Sequence, residues 1–191
     1  MIDSILQDQQ LHALVRQACA ENGLYVDIDS SLLNGDVLNF DKIIILKPDA
    51  YYCSKFMVSP PPSIDYIVVV KCTDETYKLY LIELRDCNGS SLVKRKVIEK
   101  KFLTIATDFF EKKFPDIFSK DRYKISSIKL WLVADPFNTA TIDQEMYEKK
   151  IKGTVIEQYL SMKPISVLGK LALIEPILPY IQKPVPRVMP C

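Results

Sequence analysis

The chain of 191 residues has few of the patterns that mark common functions. It holds only five glycines, and no glycine-rich phosphate-binding motif occurs among them. One histidine and five cysteines without a CxxC pair argue against a Cys/His zinc site. Its apolar runs are shorter than the roughly 20 residues that span a bilayer. The net charge of +1 argues against a polybasic protein that coats nucleic acid without specificity.

The composition is that of a soluble globular domain. Hydrophobic residues make up 48% of the chain and charged residues 26%, and the length is sufficient for one substantial core. The cysteine count is odd and the first residues show no signal-peptide pattern, so we expect a reducing, cytoplasmic environment. In that environment the cysteines are expected to be small buried hydrophobes.

The most informative pattern is a pair of acidic residues inside two strongly apolar runs. Asp65 lies in the run 64–72, and Glu83 lies in the run 77–85 with Arg85 two positions further on. Both runs are rich in β-branched and aromatic residues and are separated by a polar stretch, which predicts an antiparallel hairpin. A buried carboxylate is costly without a partner or a metal. Asp65 and Glu83 are therefore candidate ligands of a divalent cation.

The register of this hairpin decides whether the two carboxylates meet. We expect residue 65 to pair with residue 85, which places Asp65 diagonally across from Glu83 on the same face of the sheet. There Mg²⁺, or Mn²⁺ as its substitute, would bridge both side chains, with water and phosphate oxygens as further ligands. A one-residue slip would send Asp65 to the opposite face. Asp49, in a separate Pro48-Asp49 pair, is the alternative ligand.

Periodicity predicts the elements around the hairpin. Helical spacing of apolar residues occurs over 4–22, 92–114 and 143–162, and extended patterns occur over 24–28, 40–46 and 125–134. These elements predict an α/β fold with a central mixed four-stranded sheet flanked by helices. We expect residues 1–162 to form this domain. Residues 163–191 are predicted to be an apolar, proline-rich C-terminal extension that packs on the domain or on a partner.

The order helix, three strands, helix, strand and helix resembles the PD-(D/E)XK nuclease superfamily, since Asp65 opens the second strand and Glu83-Leu84-Arg85 lies on the third. The resemblance covers residues 4–162. It implies a restriction-endonuclease-like αβββαβ core and magnesium-dependent hydrolysis of phosphodiester bonds in DNA, in restriction or defence, repair or mobile-element activity. It also implies Asp65 and Glu83 as metal ligands, Leu84 as the variable residue and Arg85 in the position of the usual lysine.

Arg85 departs from the family pattern. Arginine stays protonated and cannot accept a proton, but it can hold a phosphate or stabilise charge in the transition state. Lys94 or Lys96, in the following helix, is a candidate to replace the missing lysine. One alternative is a catalytically inactive nuclease-fold protein that binds nucleic acid or acts in assembly. A purely structural alternative is that the two acids lie on a surface-facing edge, or that Glu83 forms an ion pair with Lys71 or Arg85.

A basic cluster follows the hairpin directly and is predicted to contact nucleic-acid phosphates. Its candidate residues are Lys94, Lys96, Lys100 and Lys101. The alternative interpretation is the solvated face of an amphipathic helix. Besides DNA, the expected partner is a second copy of the chain, in a homodimer that covers the apolar C-terminal segment.

Overall fold

A computed structural model describes most of the chain. The described residues are 1–54, 59–73, 75–86, 94–118, 122–137, 139–159, 162–180, 182–183 and 185–191. Residues 92–93 and 160–161, at the ends of two predicted helices, lie outside this set.

The secondary structure consists of short helices and strands around one long sheet. The helices are α1 (Ile2–Gln7), α2 (Gln9–His12), α3 (Pro48–Ser54), α4 (Arg95–Thr104), α5 (Gln144–Ile151) and α6 (Val155–Tyr159). A π-helical segment, Ile105–Lys113, continues α4, and 3₁₀ turns occupy Ser30–Leu32 and Thr139–Thr141.

The strands are numbered in chain order. They are β1 (Val15–Arg16), β2 (Cys19–Glu21), β3 (Leu24–Ile28), β4 (Leu33–Asn34), β5 (Val37–Leu38), β6 (Ile43–Leu46), β7 (Tyr66–Lys71), β8 (Thr76–Arg85), β9 (Lys124–Ala134), β10 (Ile165–Val167), β11 (Lys170–Ala172), β12 (Ile174–Ile177) and β13 (Arg187–Val188).

The main sheet is mixed and flanked by helices, as predicted, but it has six strands rather than four. Their order is β1-β6-β7-β8-β9-β12. The pairs β1/β6, β6/β7 and β7/β8 are antiparallel, whereas β8/β9 and β9/β12 are parallel. The parallel step from β8 to β9 needs a long crossover, and α4 lies in that crossover. The two additional strands lie at the edges, in segments whose patterns predict a helix and a C-terminal extension.

Alternate residues of the central strands pack on opposite sides of the sheet. The helix face carries Ile67, Leu81 and Leu132, which share a core cluster with Phe102 of α4 and Phe109 of the π-helical segment. The opposite face, called the sheet face here, packs against a small sheet of order β13-β3-β2. Its side chains include Val68, Tyr80, Ile82 and Trp131. Because both faces are covered, the central strands are apolar at nearly every position.

The helix predicted over 4–22 is wrong beyond its first turns. α1 ends at Gln7, and the carboxylate of Asp8 accepts hydrogen bonds from the N–H groups of Gln10 and Leu11, so it starts a new short helix instead of continuing the first. Strand β1 follows α2 and pairs with β6. The apolar spacing is satisfied by short helices and then by strands: Leu11 and Val15 pack on the core of the helix face, whereas Cys19 packs on the opposite face.

The helix predicted over 143–162 is also interrupted. α5 ends at Ile151 and α6 begins at Val155. Between them Gly153 has a φ of 74°, a left-handed conformation that glycine adopts without steric cost and that ends a helix. This break leaves α6 as a separate element, which lies against β12.

The cysteines only partly follow the expectation of buried hydrophobes. Cys19 is buried, Cys53 is exposed, and Cys72 is bonded to Cys191 with a Cα–Cα distance of 5.3 Å. This disulfide connects the turn after β7 to the segment after β13. The described part of the molecule contains no helix with the length and apolar character needed to cross a membrane.

Candidate functional site

The β7–β8 hairpin brings the two predicted acids together. Its register pairs Tyr66 with Ile82 and Lys71 with Tyr77. Extended by one residue, this register places Asp65 directly opposite Glu83. The expected pairing of residues 65 and 85 is therefore wrong by two residues, because the hairpin is centred one residue earlier in the chain than expected. A shift of two preserves the alternation of side chains, so both acids are on the helix face.

Asp65 lies immediately before β7 and is 7% exposed. Its Oδ2 accepts a hydrogen bond of 2.7 Å from the N–H of Leu84, which lies beyond the last residue pair of the two strands. Burial raises the pKa of Asp65 to about 6; the ammonium of Lys101 and the Leu84 N–H oppose this rise, while Glu21 and Asp49 add to it. The carboxylate is thus held in place by the backbone in a site that disfavours its charge.

Glu83 is fully buried in the middle of the sheet. Its Oε1 accepts a hydrogen bond of 2.6 Å from Nζ of Lys101, and its Oε2 has no hydrogen-bond partner. Burial, and then the neighbouring charge of Asp65, raise the pKa of Glu83 to about 8, against the opposing effect of Lys101 and Arg85. The charge of Asp65 thus acts on Glu83, as expected for side chains at opposite positions of the hairpin.

Lys101 reaches this pair from α4. Ile98 and Phe102 form the buried stripe of the helix, and Lys101 lies beside that stripe with its side chain 17% exposed. The structural alternative named Lys71 or Arg85 as the ion-pair partner of Glu83, but the direct salt bridge is made by Lys101. Lys101, which was predicted to belong to the basic cluster, is therefore also part of the candidate site.

The other three lysines of the basic cluster are exposed to solvent: Lys94, Lys96 and Lys100. The salt bridge to Glu83 is made by Lys101 and not by Lys94 or Lys96, the candidates to replace the missing lysine. Among the described residues, the cluster thus divides into one partly buried cation at the acids and three solvent-exposed cations.

Arg85 is half-buried, two residues after Glu83 on the same face of β8. Its Nε is buried and has no hydrogen-bond partner. The guanidinium lowers the pKa of Glu83, which shows that its positive charge acts on this carboxylate. An unpaired buried donor next to two acids can bind an oxyanion, such as a phosphate, without breaking a protein contact.

A second layer of charges borders the acids. Lys47, directly after β6, lies 2.8 Å from Glu21 and 3.7 Å from Asp49. Asp49, the alternative ligand, lies in the first turn of α3, where burial raises its pKa and Lys47 lowers it. Asp49 also raises the pKa of Asp65. It therefore contributes negative charge to the site, but its closest cation is Lys47.

The donor set fits a hard divalent cation only as a partial shell. Two carboxylates lie opposite each other on one face, and one of their oxygens, Glu83 Oε2, is free to bind. Within the described ranges, however, no group of three or more His, Cys, Asp or Glu side chains is arranged to hold a metal ion. Mg²⁺ commonly binds one or two carboxylates and keeps several waters. Asp65 and Glu83 would be its protein ligands here.

Two contributions were missed at the level of sequence. The ion pair of Lys101 with Glu83 depends on how α4 packs on the sheet, which helical spacing alone does not give. The approach of Glu21 was missed because β2 lies in a segment whose pattern predicts a helix. Searches against protein-family models, curated proteins and solved structures find no significant match to this chain.

Proposed function

We propose that this protein is a metal-dependent nuclease that hydrolyses phosphodiester bonds in DNA. The observation that carries the proposal is Glu83: a fully buried carboxylate with one free oxygen, opposite a second buried carboxylate and 2.6 Å from a lysine. An apolar sheet would be more stable with a hydrophobic residue at this position. Buried charged groups arranged in this way are typical of a catalytic or binding site.

The arrangement of elements supports the resemblance to the PD-(D/E)XK superfamily. Strands β6, β7 and β8 are consecutive neighbours, α4 follows them, and β9 returns beside β8. Asp65 precedes the second of these strands, and Glu83 lies on the third. This is the order expected for a restriction-endonuclease-like αβββαβ core. In the proposal β1 and β12 are additions at its edges.

Each polar side chain has a distinct role in the proposed reaction. A bound Mg²⁺ would polarise the phosphate and lower the pKa of a water ligand. Asp65 and Glu83 hold it, and Glu83 can use Oε2 for this without losing the bond from Lys101 to Oε1. Lys101 is positioned to orient water or to exchange a proton, which Arg85 cannot do. Arg85 stabilises the negative charge that develops on the phosphate.

The exposed lysines extend the site along the nucleic acid. Lys94, Lys96 and Lys100 lie on or next to the helix that delivers Lys101, so a duplex held at the acids can meet them. Contacts of this kind bind phosphates without reading sequence. They account for affinity in the proposal, whereas the acids account for cleavage.

The direct test is cleavage of supercoiled plasmid with Mg²⁺ or Mn²⁺. The variants are Asp65→Asn and Glu83→Gln, which keep the shape of each side chain, and the matched control is Glu175→Gln. Glu175 is another glutamate of the main sheet that pairs with a lysine, Lys129 at 3.0 Å. We expect the first two variants to lose about 10²–10³-fold in rate and the control to keep it. Equal rates in all four proteins would refute the proposal.

A second candidate function is nucleic-acid binding or assembly without catalysis. Two observations favour it: arginine replaces the lysine of the family motif, and Lys101 forms a salt bridge with Glu83. This candidate predicts that a labelled DNA duplex binds equally well with and without Mg²⁺ and is never cut. Replacing Lys94, Lys96 and Lys100 by alanine should then weaken binding. The slope of log K against log salt concentration should become shallower by about 0.9 for each phosphate contact that is lost.

A further inference from the structure

The disulfide between Cys72 and Cys191 lies outside the candidate site, and the proposed reaction does not use it. It joins the residue after β7 to a residue after β13, 119 positions later in the chain. Its Cα–Cα distance of 5.3 Å is within the ordinary range for disulfides. Buried disulfides are usually inert structural links, whereas exposed ones next to positive charge are the reactive ones. The surroundings of this bond therefore indicate which kind it is.

Both cysteines line an open cavity of about 390 Å³ at the protein surface. Cys191 is exposed and Cys72 is half-buried, so a dissolved thiol can approach the bond from this cavity. The charged side chains that line the cavity are those of Asp41, Lys42 and Lys71. Among the described residues, two positive side chains and one negative side chain thus surround the disulfide. A thiol that carries carboxylates is attracted to such a surface.

The surroundings of Cys72 favour its release as the leaving thiolate. Its Sγ lies 3.5 Å from Oγ of Ser126, which donates a hydrogen bond of 3.0 Å to the carbonyl of Tyr77. A disulfide sulfur has no hydrogen, whereas a free Cys72 thiol can donate to Ser126 Oγ. The two lysines of the cavity lower the pKa of a nearby thiol, and a thiol of lower pKa leaves faster. Attack at the more exposed sulfur, that of Cys191, releases Cys72.

The disulfide fastens a segment that covers the sheet face. Residues 185–191, called the strap here, include β13, and Val188 of the strap is fully buried in the sheet-face core. The N–H of Asp27 donates to the carbonyl of Pro186 at 2.9 Å. The N–H of Asp29 donates to the carbonyl of Val188 at 3.0 Å. Because β13 has only two residues, we expect these hydrogen bonds to open more often once the covalent link is lost.

We propose that the Cys72–Cys191 bond is a redox-active site for a small thiol that carries carboxylates, and that its reduction loosens the strap. The thiolate attacks Cys191 Sγ and forms a mixed disulfide. The original bond breaks with its electron pair on Cys72, which takes up the proton that the attacking thiol gave up. A second thiol attacks the sulfur of the first, which frees the Cys191 thiol and yields the oxidised thiol dimer. Two thiols thus supply the two electrons that reduce the protein disulfide.

This inference does not rest on the proposed nuclease function. The strap packs on the sheet face, whereas Asp65 and Glu83 lie on the helix face. Its tests measure the oxidation state of cysteines and the exchange of backbone hydrogens, so they give the same answer whether or not the protein cuts DNA.

The first test uses reduced glutathione, a thiol with two carboxylates, on the folded Cys53→Ser protein. Cys53 is replaced because it is an exposed free cysteine that would react as well. After incubation in millimolar glutathione, alkylation and mass spectrometry should show Cys72 and Cys191 in the thiol form. Early samples should carry glutathione on Cys191. A disulfide that glutathione reduces only after urea has unfolded the protein would be a structural link and would overturn the inference.

The charge of the thiol tests the role of the cavity. Cysteamine is a small thiol with a positive charge instead of carboxylates. In the Cys53→Ser background, Lys42→Gln should slow reduction by glutathione about two- to fivefold and leave reduction by cysteamine no slower. The control Lys129→Gln changes a lysine outside the cavity and should affect neither rate. Equal effects of Lys42→Gln on both thiols would overturn the preference for a thiol with carboxylates.

Hydrogen exchange tests whether reduction loosens the strap. In the reduced wild type and in Cys191→Ser, the N–H groups of Asp27 and Asp29 should exchange faster by about tenfold or more. The N–H groups between β8 and β9, in the middle of the main sheet, should keep their rates. Unchanged rates at Asp27 and Asp29 would show that the strap does not depend on the disulfide. Faster exchange throughout the main sheet would show that the disulfide holds the whole fold. Either result would overturn the inference.

Discussion

Two glutamates of the same sheet illustrate how burial changes the meaning of an ion pair. Glu175, on β12 beside Trp131, accepts a hydrogen bond of 3.0 Å from Lys129 at Oε1 and one of 3.2 Å from the Trp131 indole at Oε2. Its side chain is 41% exposed. Glu83, on the helix face of β8, is 0% exposed, pairs only Oε1 and leaves Oε2 free.

The two pairs have similar geometry but different energetic roles. Both carboxylate oxygens of Glu175 are satisfied and water screens the charge, so this salt bridge is worth little. Glu83 is removed from water and Lys101 is only 17% exposed, and the cost of burying these charges is not recovered by one hydrogen bond. The incomplete pairing, more than the presence of opposite charges, distinguishes a candidate site from a structural contact.

Removing the lysine from each pair should give the largest contrast. Lys101→Met leaves Glu83 buried without its counter-charge, so we expect a loss of about 3–5 kcal/mol in the free energy of unfolding at pH 8. Lys129→Met should cost about 0–1 kcal/mol. Urea denaturation measures both values. Similar losses in the two variants would show that the pairs do not differ as described.

Metal binding should separate the two glutamates next. At a Mg²⁺ concentration 100 times Kd, we expect the wild-type protein to gain about 2.7 kcal/mol in stability through binding to the folded state. Glu175→Gln should keep this gain, whereas Glu83→Gln should lose most of it. Thermal denaturation with increasing Mg²⁺ reports the shift, and a gain that persists in Glu83→Gln would place the cation elsewhere.

The stability of the folded protein should fall as the pH rises through the range in which Glu83 titrates. Its pKa is raised from 4.5 to about 8, so the folded state holds this proton more tightly than the unfolded state does. The free energy of unfolding therefore falls by about 1 kcal/mol per pH unit as the pH rises from 4.5 to 8. Asp65 adds to the slope between pH 3.8 and about 6.

Substitution of each glutamate tests this slope. Denaturant midpoints of Glu83→Gln, measured over that pH range without metal, should lie on a flatter curve than those of the wild type. Glu175→Gln should retain the wild-type slope. A wild-type protein that becomes more stable as the pH rises would contradict the raised pKa of Glu83.

The smallest effect concerns the exposed pair itself. In a double-mutant cycle of Glu175→Gln and Lys129→Met, we expect a coupling free energy of about 0–1 kcal/mol that declines in 1 M salt. The corresponding cycle of Glu83→Gln and Lys101→Met should show a larger coupling that salt affects less. Equal salt dependence would mean that water screens both pairs alike.

Much of the hairpin is predictable from local pattern. The β-branched runs around Val68 and Ile82 are extended because such residues favour strands and pack on both faces. The shared face of Asp65 and Glu83 was also predicted, since it requires only that the register be correct within an even number of residues. The exact pairing was wrong because the sequence of the turn does not specify at which residue the hairpin is centred.

The partner of Glu83 is harder to foresee. Several cations are near it in sequence or in the next helix, among them Arg85 and Lys94. Only the angle at which α4 packs on the sheet selects Lys101, because the core contacts of Ile98 and Phe102 determine which side of the helix faces the carboxylates.

By itself, the sequence determined the class of the fold, the central hairpin and the burial of two acids within it, because these follow from residue preferences acting over a few positions. The tertiary structure decided which lysine neutralises Glu83 and that β1 and β12 extend the sheet. Those features depend on how distant segments pack, and packing is set by the shape of the whole core.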